Sequence, residues 1–386
     1  MLLHKSVVHD SRVRREAKAL ASAGHDVTVA HLAPGDVPAA VRAEGYRVVS
    51  ALSARLGRRR LPLALHRLVF MWNFVRVVRA VRPDVVHAHD AAMLAPGWLG
   101  ARLAGARLVY DSHELATGVA YRGRVWARFV WLLERLVVRR CAAVLTVSDG
   151  IAERLQGLYG LPKRPLVVRN LPDLPRPDSR IDVRKQLGIA PDAPLVLHHG
   201  AAAPGRGCER LVSAAKDLPS SHVLFLGDHD AGWEEHLKRL AEDLGVSDRV
   251  HLVGSVPLDV LLGYTAEADV GVSLLEDSCE NHRLALPNKV FEYAAAGLPV
   301  VATALPELEK MIRAYGLGWT VPSHDSVALS EALAAALRES REGVIRAHIE
   351  TASRELAWPR EAAVLTQAYE ELEDALLVAG RRAAAA

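Results

Sequence analysis

Short runs of apolar, largely β-branched residues recur along the chain, and longer segments with helical periodicity separate them. In the first half these runs lie at residues 27–31, 85–89, 107–113, 143–148 and 165–170. In the second half they lie at residues 195–200, 222–227, 250–254, 269–275 and 299–303. Strands that alternate with helices are typical of right-handed βαβ units, which build a parallel sheet. The pattern therefore predicts an α/β fold with parallel sheets.

A proline-rich, charged segment interrupts this rhythm at residues 171–182, and we interpret it as a linker. The runs on its two sides form similar halves, which predicts two domains. Ligands of open parallel sheets bind beyond the carboxyl ends of the strands. We expect the two sheets to face each other across a cleft, an arrangement that suits a reaction with two substrates.

The composition agrees with this organisation and excludes several classes of protein. The chain has 386 residues, of which 50% are hydrophobic, and this is enough for two cores. Its net charge of +3 is too weak to indicate nucleic acid as a partner. The three cysteines are widely spaced and predict neither a disulfide framework nor a metal site. The cysteine content fits a reducing cytoplasm best. No apolar stretch reaches the roughly 20 residues that cross a bilayer, so we expect a protein that is soluble or at most peripheral to a membrane.

Positive charge is concentrated in two segments that also carry apolar residues. Residues 121–140 form one of them, and the other holds eight arginines and no acid, namely Arg55, Arg58, Arg59, Arg60, Arg67, Arg76, Arg79 and Arg82. One interpretation is peripheral contact with an anionic membrane, on which a lipid-linked acceptor would lie. The other is an ordinary helix whose apolar side faces the core and whose arginines are solvated. The sequence leaves both open.

The segment HHGAAAPGRG, residues 198–207, places a small-residue loop between a strand and a helix. Glycines such as Gly200 and Gly207 let the backbone approach a phosphate, and Arg206 adds positive charge beside it. The loop matches neither the GxGxxG fingerprint of nicotinamide cofactors nor the P-loop of ATPases. A tight connection without any ligand is the alternative.

The segment LALPNKVFEYAAAGLPVVAT, residues 284–303, predicts a helix followed by a buried strand. Pro287 suits the first turn, and Lys289 and Glu292 are neighbours on the helix surface because they lie three residues apart. A carboxylate at Glu292 has the chemistry to accept both hydroxyls of a ribose. The alternative is a favourable interaction with the helix dipole, worth about 0.3 to 1 kcal/mol.

Histidine and acidic residues follow two predicted strands, in VVHAHD at residues 85–90 and VYDSHEL at residues 109–115. Catalytic groups gather at strand ends in parallel sheets, and imidazole titrates near neutral pH. His113, Glu114 and Asp90 are therefore candidate catalytic residues. Metal ligation by these residues with His87 and His89 is a rival interpretation, although their spacing matches no known ligand set. Buried histidines bonded to the backbone are the third.

With these motifs assembled, the chain resembles the family 4 glycosyltransferases, retaining enzymes of the GT-B fold. The segments that carry the resemblance are DSRVRREAKALASAGHDVTVA, VVHAHD, VYDSHE, LTVSDGIAERL, VVRNLPD, ADVGVSLLE and the most specific of them, ALPNKVFEYAAAGLPVVAT. Near the end, AWPREAAVLTQAYEEL is similar to the helix that leaves the second domain and packs on the first. The resemblance implies two facing Rossmann-like domains, residues 1–172 with a returning helix at about 358–378, and residues 173–357.

The resemblance also implies roles for particular residues. His113 matches the histidine that contacts the donor sugar, and Arg206-Gly207 stands where the family places the cation that holds the donor diphosphate. Glu292 matches the second glutamate of the family's E-x7-E motif, which binds the ribose. Beyond these family matches, our own hypothesis is that Asp90 or Glu114 helps to position or deprotonate the acceptor.

Two positions depart from the family pattern. The first glutamate of E-x7-E is replaced by Leu284, and Glu280 is the nearby acid that would substitute for it. The cation after the first glycine of the loop is replaced by Ala201, and Lys289 or Arg283 would take its part. Asn288 precedes that lysine and completes the predicted donor-binding set.

The expected function is transfer of a sugar from a nucleotide-sugar donor to a glycan, lipid-linked or small-molecule acceptor, with retention of configuration. The resemblance implies that no metal or other cofactor takes part, because the donor is a substrate and fixed cations bind its diphosphate. A non-hydrolysing sugar-nucleotide epimerase is the alternative enzyme. A non-catalytic nucleotide-sugar-binding module is the alternative from another class, and Leu284 and Ala201 are the features that favour it.

Overall fold

A computed structural model describes residues 1–33, 37–51, 63–119, 123–173, 181–343 and 345–384. The chain divides into two compact domains, one made of Met1–Asn170 with Glu361–Ala386 and the other of Leu171–Arg360. The predicted linker begins at this division, and its residues 174–180 lie outside the described residues.

The first domain contains a seven-stranded parallel sheet in the order β3-β2-β1-β4-β5-β6-β7. Its strands are β1 (Leu2–Leu3), β2 (Thr28–His31), β3 (Arg47–Ser50), β4 (Val85–His89), β5 (Arg107–Ser112), β6 (Ala143–Thr146) and β7 (Leu166–Val167). The helices that follow them are α1 (Ser11–Ser22), α2 (Ala39–Arg42), α3 (Leu63–Val81), α4 (Asp90–Ala104), α5 (Arg124–Val137) and α6 (Asp149–Tyr159). The strand order reverses between β1 and β4, which makes this the switch point of the sheet.

The second domain contains a six-stranded parallel sheet in the order β10-β9-β8-β11-β12-β13. Its strands are β8 (Leu195–His199), β9 (His222–Leu226), β10 (Val250–Val253), β11 (Val270–Ser273), β12 (Val300–Thr303) and β13 (Gly318–Val321). Its helices are α7 (Val183–Leu187), α8 (Cys208–Ala214), α9 (Ala231–Asp243), α10 (Leu258–Thr265), α11 (Glu280–Leu284), α12 (Asn288–Ala296), α13 (Pro306–Tyr315), α14 (Ser326–Glu342) and α15 (Arg346–Glu355). The switch point of this sheet lies between β8 and β11. The last helix, α16 (Trp358–Ala384), belongs to the first domain from Glu361 onward.

Each of the ten predicted apolar runs contains a strand, which confirms the α/β fold with parallel sheets. Central strands such as β4 and β8 are buried along almost their whole length, since helices cover both faces of a parallel sheet. Side chains of Asp10 and Ser148 cap the amino ends of α1 and α6. No helix in the described part of the chain is both long and apolar enough to cross a membrane.

Candidate active site

The loop after β8 lies at the switch point of the second sheet. The strand ends at His199, and the backbone then adopts positive φ angles of 86° at Gly200 and 68° at Gly207. Glycine is required at position 207 because a Cβ there would stand 2.5 Å from both the Cβ and the carbonyl oxygen of Leu274. Helix α8 begins at the next residue. The loop thus holds its backbone directly against the end of β11.

A buried lysine approaches this loop from α12. Lys289 is only 8% exposed, and its Nζ lies 3.2 Å from Nε2 of His198. Burial first, and the nearby charge of Arg206 second, lower the pKa of Lys289 to about 7. Burial and Lys289 together lower the pKa of His198 well below its usual value, so this imidazole is neutral. Within the described residues, the ammonium of Lys289 is therefore hydrogen-bonded to the neutral imidazole of His198 and not to a carboxylate.

Glu292 lies one turn further along α12 and faces the end of β8. Its Oε2 is 3.3 Å from Nε2 of His199, and its side chain is 16% exposed. Burial, and then the charge of Lys289, lower the pKa of His199 to about 3, so the carboxylate faces a neutral imidazole. The backbone N–H of His199 donates a 3.1 Å hydrogen bond to the hydroxyl of Tyr293. The first contact places the Glu292 carboxylate beside the strand end, and the second joins α12 to β8.

The other predicted donor-binding residues lie at the surface. Arg206 is exposed in the loop, and its charge reaches Lys289, whose pKa it lowers. Asn288 is exposed at the first residue of α12, and Glu280 is exposed at the first residue of α11. The structure thus brings Arg206, Lys289 and Glu292 to one edge of the second sheet.

In the first domain, His113 follows β5 and lies between two carboxylates. Its Nε2 is 2.8 Å from Oδ2 of Asp111, and its Nδ1 is 3.4 Å from Oδ2 of Asp90. Its backbone N–H donates to Oδ1 of Asp90 over 3.3 Å. Burial alone would lower the pKa of His113, but the two carboxylates outweigh it and raise that pKa to about 9. His113 is therefore an imidazolium at neutral pH.

A buried arginine holds Asp111 in place. Arg12 of α1 donates from Nε and from a terminal nitrogen to the two oxygens of Asp111, both over 2.8 Å. The side chains are 3% and 0% exposed. Burial would raise the pKa of Asp111, but Arg12 and then His113 hold it well below its usual range. Arg12, Asp111, His113 and Asp90 thus form a chain of alternating charge.

Asp90 has a strained backbone. Its φ is 63°, in the left-handed region, at the first residue of α4 and beside the switch point between β1 and β4. Such strain costs about 1 to 3 kcal/mol and is concentrated at functional sites.

Glu114 directly follows His113 in the chain. The backbone carbonyl of Glu114 accepts a 2.8 Å hydrogen bond from the hydroxyl of Ser112, and the side chain of Glu114 is partly exposed. The candidate catalytic residues therefore lie at one sheet edge.

Four buried residues have the ligand atoms of a metal site. Atoms of Glu16, His87, His89 and Asp111 lie within 4.8 Å of one another. Arg12, however, lies 2.9 Å from Glu16 as well as bonding Asp111, so a fixed cation already neutralises this cluster. Burial raises the pKa of Glu16, although Arg12 opposes the shift. A divalent ion would add charge beside a buried guanidinium, which disfavours binding there.

Several residues around His113 in the first domain, and around Lys289 and Glu292 in the second, were not predicted from the sequence. Asp111 lies inside the quoted VYDSHEL motif, two residues before His113, and this spacing places two residues on one face of a strand. Likewise His198 and His199 lie inside the glycine-loop motif. Arg12 carried no local signal, because its partner is 99 residues away in the chain.

Two Rossmann-like parallel sheets, each with polar clusters at a switch point, define the chain as a protein of the GT-B fold. The family model Glycosyltransferase Family 4 matches residues 11–174, and the model Glycosyl transferases group 1 matches residues 193–339. The chain therefore belongs to the family 4 glycosyltransferases, and it is a glycosyltransferase.

Curated relatives and solved structures agree with this assignment. The D-inositol 3-phosphate glycosyltransferase of Actinosynnema mirum is 29% identical over 372 residues, which cover 90% of this chain and 85% of the relative. The enzyme of the same name from Geodermatophilus obscurus is 28% identical over 78% of this chain and 69% of its own length.

Among solved structures, sucrose-phosphate synthase from Thermosynechococcus elongatus superposes with a TM-score of 0.78 at 21% identity, over 97% of this chain and 99% of that one. Anabaena HepE in complex with UDP-glucose superposes with a TM-score of 0.75 at 18% identity, over 97% and 98% of the two chains. At these identities the likeness shows the fold.

Proposed function

We propose that this glycosyltransferase takes a sugar from a nucleotide-sugar donor and transfers it to an acceptor hydroxyl with retention of configuration. The observation that supports this most is the cluster in the second domain, where Arg206 and Lys289 supply positive charge and Glu292 supplies an oriented carboxylate. The two cations suit a diphosphate, and the carboxylate suits the paired hydroxyls of a ribose. Asn288 and Glu280 are proposed to complete the contacts with the donor.

The transfer itself needs no protein nucleophile. The bond between the anomeric carbon and the diphosphate oxygen breaks, and the departing diphosphate keeps the electron pair. Arg206 and the protonated form of Lys289 stabilise that developing charge. The acceptor oxygen then bonds to the same face of the anomeric carbon, and its proton passes to the departing diphosphate. Fixed cations take the place of a metal ion in this scheme, and no cofactor enters it.

For the first domain, the role of His113 is the one that the family resemblance implies, and the role of Asp90 or Glu114 is our own hypothesis. His113 is assigned to contact with the transferred sugar, and its positive charge is set by Asp90 and Asp111. Asp90 or Glu114 is assigned to the acceptor hydroxyl. These assignments need a rigid framework, and the buried bond between Arg12 and Asp111 supplies one.

The relatives suggest which substrates to test first. UDP-glucose is bound in the structure of Anabaena HepE, and the curated relatives are named for D-inositol 3-phosphate. We therefore place UDP-sugars first among donors, ahead of GDP- and ADP-sugars, and inositol phosphates first among acceptors. Glycan and lipid-linked acceptors complete the panel.

The test is a transfer assay with purified protein, in which proton NMR of the product gives the anomeric configuration. We expect a product with the donor's configuration, and loss of donor binding by calorimetry in Arg206→Ala. The matched control is Arg313→Ala, because Arg313 is an 80% exposed arginine of the same domain that pairs with Glu309.

An inverted product would contradict retention, and unchanged donor affinity in Arg206→Ala would contradict the diphosphate site. A new epimer of the donor in the absence of acceptor would favour an epimerase. Donor binding without transfer over the whole panel would favour a binding module.

A further inference from the structure

Helix α5 of the first domain exposes an apolar stripe to solvent. Val125, Phe129, Leu132 and Leu136 are 84%, 56%, 50% and 53% exposed. Their spacing of four, three and four residues places them along one side of the helix. A core-facing helix would bury such a stripe, so the solvated-helix interpretation of this segment does not account for it. Its side chains need another apolar environment.

The charges beside the stripe all have one sign. The exposed charged residues of α5 are Arg124, Arg128 and Arg135, and no carboxylate pairs with them in the described part of the chain. The helix has one acid, Glu134, which is buried and accepts 2.6 Å hydrogen bonds from the hydroxyls of Tyr110 and Tyr159. Those bonds turn the only negative charge of the helix inward. The outer face is therefore apolar and cationic.

The neighbouring helices extend this character. Helix α4 packs against both α5 and α3. The exposed large apolar residues of α3 and α4 are Leu68, Trp72, Val81, Trp98 and Leu103, and their exposed charged residues in the described chain are Arg76, Arg79 and Arg102. The segment between Arg55 and Arg82 contains further arginines. Of these, Arg55, Arg58, Arg59 and Arg60 lie outside the described residues, as does the side chain of Arg67.

We propose that the exposed face of α5 docks the first domain on a membrane surface that contains anionic lipid. A bilayer interface offers a hydrocarbon boundary for the stripe and negative headgroups for the arginines, and both requirements are met in one plane. The helix has 14 residues and lies along that plane. Trp126 and Trp131, on the half-buried flanks, suit the headgroup level. The proposal does not depend on the donor or the acceptor.

The apolar part of the surface is tested with Phe129→Ser/Leu132→Ser in the full-length protein. Co-sedimentation is measured with phosphatidylcholine vesicles that contain about one third phosphatidylglycerol. We expect the wild type to bind them and the double variant to bind at least about tenfold more weakly, since two large apolar side chains no longer enter the interface. The control is Val327→Ser, because Val327 is 68% exposed on α14 of the second domain. Its binding should match the wild type.

The charged part is tested with Arg124→Gln/Arg128→Gln against Arg239→Gln/Arg313→Gln, which removes the same net charge from exposed helices of the second domain. We expect about fivefold weaker binding per α5 arginine, corresponding to about 1 kcal/mol each, and no change in the control pair. Binding should also weaken as salt rises.

Several outcomes would overturn the proposal. One is wild-type protein that binds pure phosphatidylcholine as well as the anionic vesicles, or binds neither. Another is an equal loss of vesicle binding in Arg124→Gln/Arg128→Gln and in Arg239→Gln/Arg313→Gln, which would mean that only the net charge of the protein matters. A third is a wild-type dimer in sedimentation velocity that Phe129→Ser/Leu132→Ser converts to a monomer, because a second copy would then cover the stripe.

Discussion

Replacing Asp111 by asparagine should destabilise the first domain, because it leaves the buried guanidinium of Arg12 without its main counter-charge. Both side chains are at most 3% exposed, and the two 2.8 Å bonds are charge-assisted. Breaking one partner of such a pair costs about 3 to 5 kcal/mol. Glu16 stays 2.9 Å from Arg12, and its pKa falls once the negative charge of Asp111 is gone. Because loss of the Asp111 charge favours the ionised form of Glu16, which compensates in part, we expect the lower end, about 3 kcal/mol.

Hydrogen exchange followed by mass spectrometry separates the two domains and is the appropriate assay. Peptides of the first sheet should lose about a hundredfold in protection in Asp111→Asn, and those of the second sheet should not change. The control is Asp26→Asn, because Asp26 makes an exposed pair with Arg47 over 2.8 Å and such pairs contribute at most about 1 kcal/mol. Equal and small losses of protection in Asp111→Asn and Asp26→Asn would refute the view that the buried pair of Arg12 and Asp111 stabilises the first domain.

Two further predictions concern the second domain. In urea unfolding, Gly207→Ala should lower the free energy of unfolding by about 1 to 3 kcal/mol more than Gly245→Ala does. Both glycines have positive φ, but of the two only Gly207 has backbone within 2.5 Å of an added Cβ. Equal losses of unfolding free energy in the two variants would contradict this prediction. The affinity for donor should fall as pH rises through about 7, the pKa to which burial lowers Lys289, because a diphosphate binds the ammonium form. Calorimetry at pH 8 in buffers of different ionisation enthalpy should then show proton uptake on binding, and a buffer-independent heat would argue against it.

The charge of His113 is also lost as the pH rises, but at a higher pH than that of Lys289. Its pKa is raised from 6.5 to about 9, so its pairing with Asp90 and Asp111 stabilises the folded protein fully below pH 6.5. That contribution is lost as the pH rises through about 9. The imidazolium assigned to the sugar is therefore retained over the pH range in which Lys289 loses its charge.

The sequence was sufficient to predict the positions of the central strands, but it was insufficient to predict two of the edge strands. Strand β4 was predicted with its observed bounds, because a strand buried on both faces is written as a continuous apolar run. The edge strands β3 and β13 were not predicted, since they are only partly buried and lack that signal. In the site, strand ends indicated where His113 and the glycine loop lie. The contact between Arg12 and Asp111 joins residues far apart in the chain, and only the folded structure reveals it.

The buried state of Lys289 was also beyond the sequence. A helix pattern shows which residues share a face, but the depth of a side chain depends on the neighbouring strand, here on His198 at the end of β8. That burial turns a surface cation into a group with a pKa near 7. The basic segment of α5 is a similar case. Its sequence allowed a core-facing helix, and only the exposed fractions of Phe129 and Leu132 show an apolar stripe in solvent.

The most direct test of the proposed donor site is calorimetry with the nucleotide sugar that binds the wild type, on Glu292→Gln and its control Glu307→Gln. Glu292 faces His199 at the switch point, whereas Glu307 lies in the first turn of α13. If Glu292 binds the ribose, loss of its charge-assisted bonds should weaken donor affinity at least about tenfold, and the control should bind like the wild type. Equal affinity in wild type and Glu292→Gln would contradict the account.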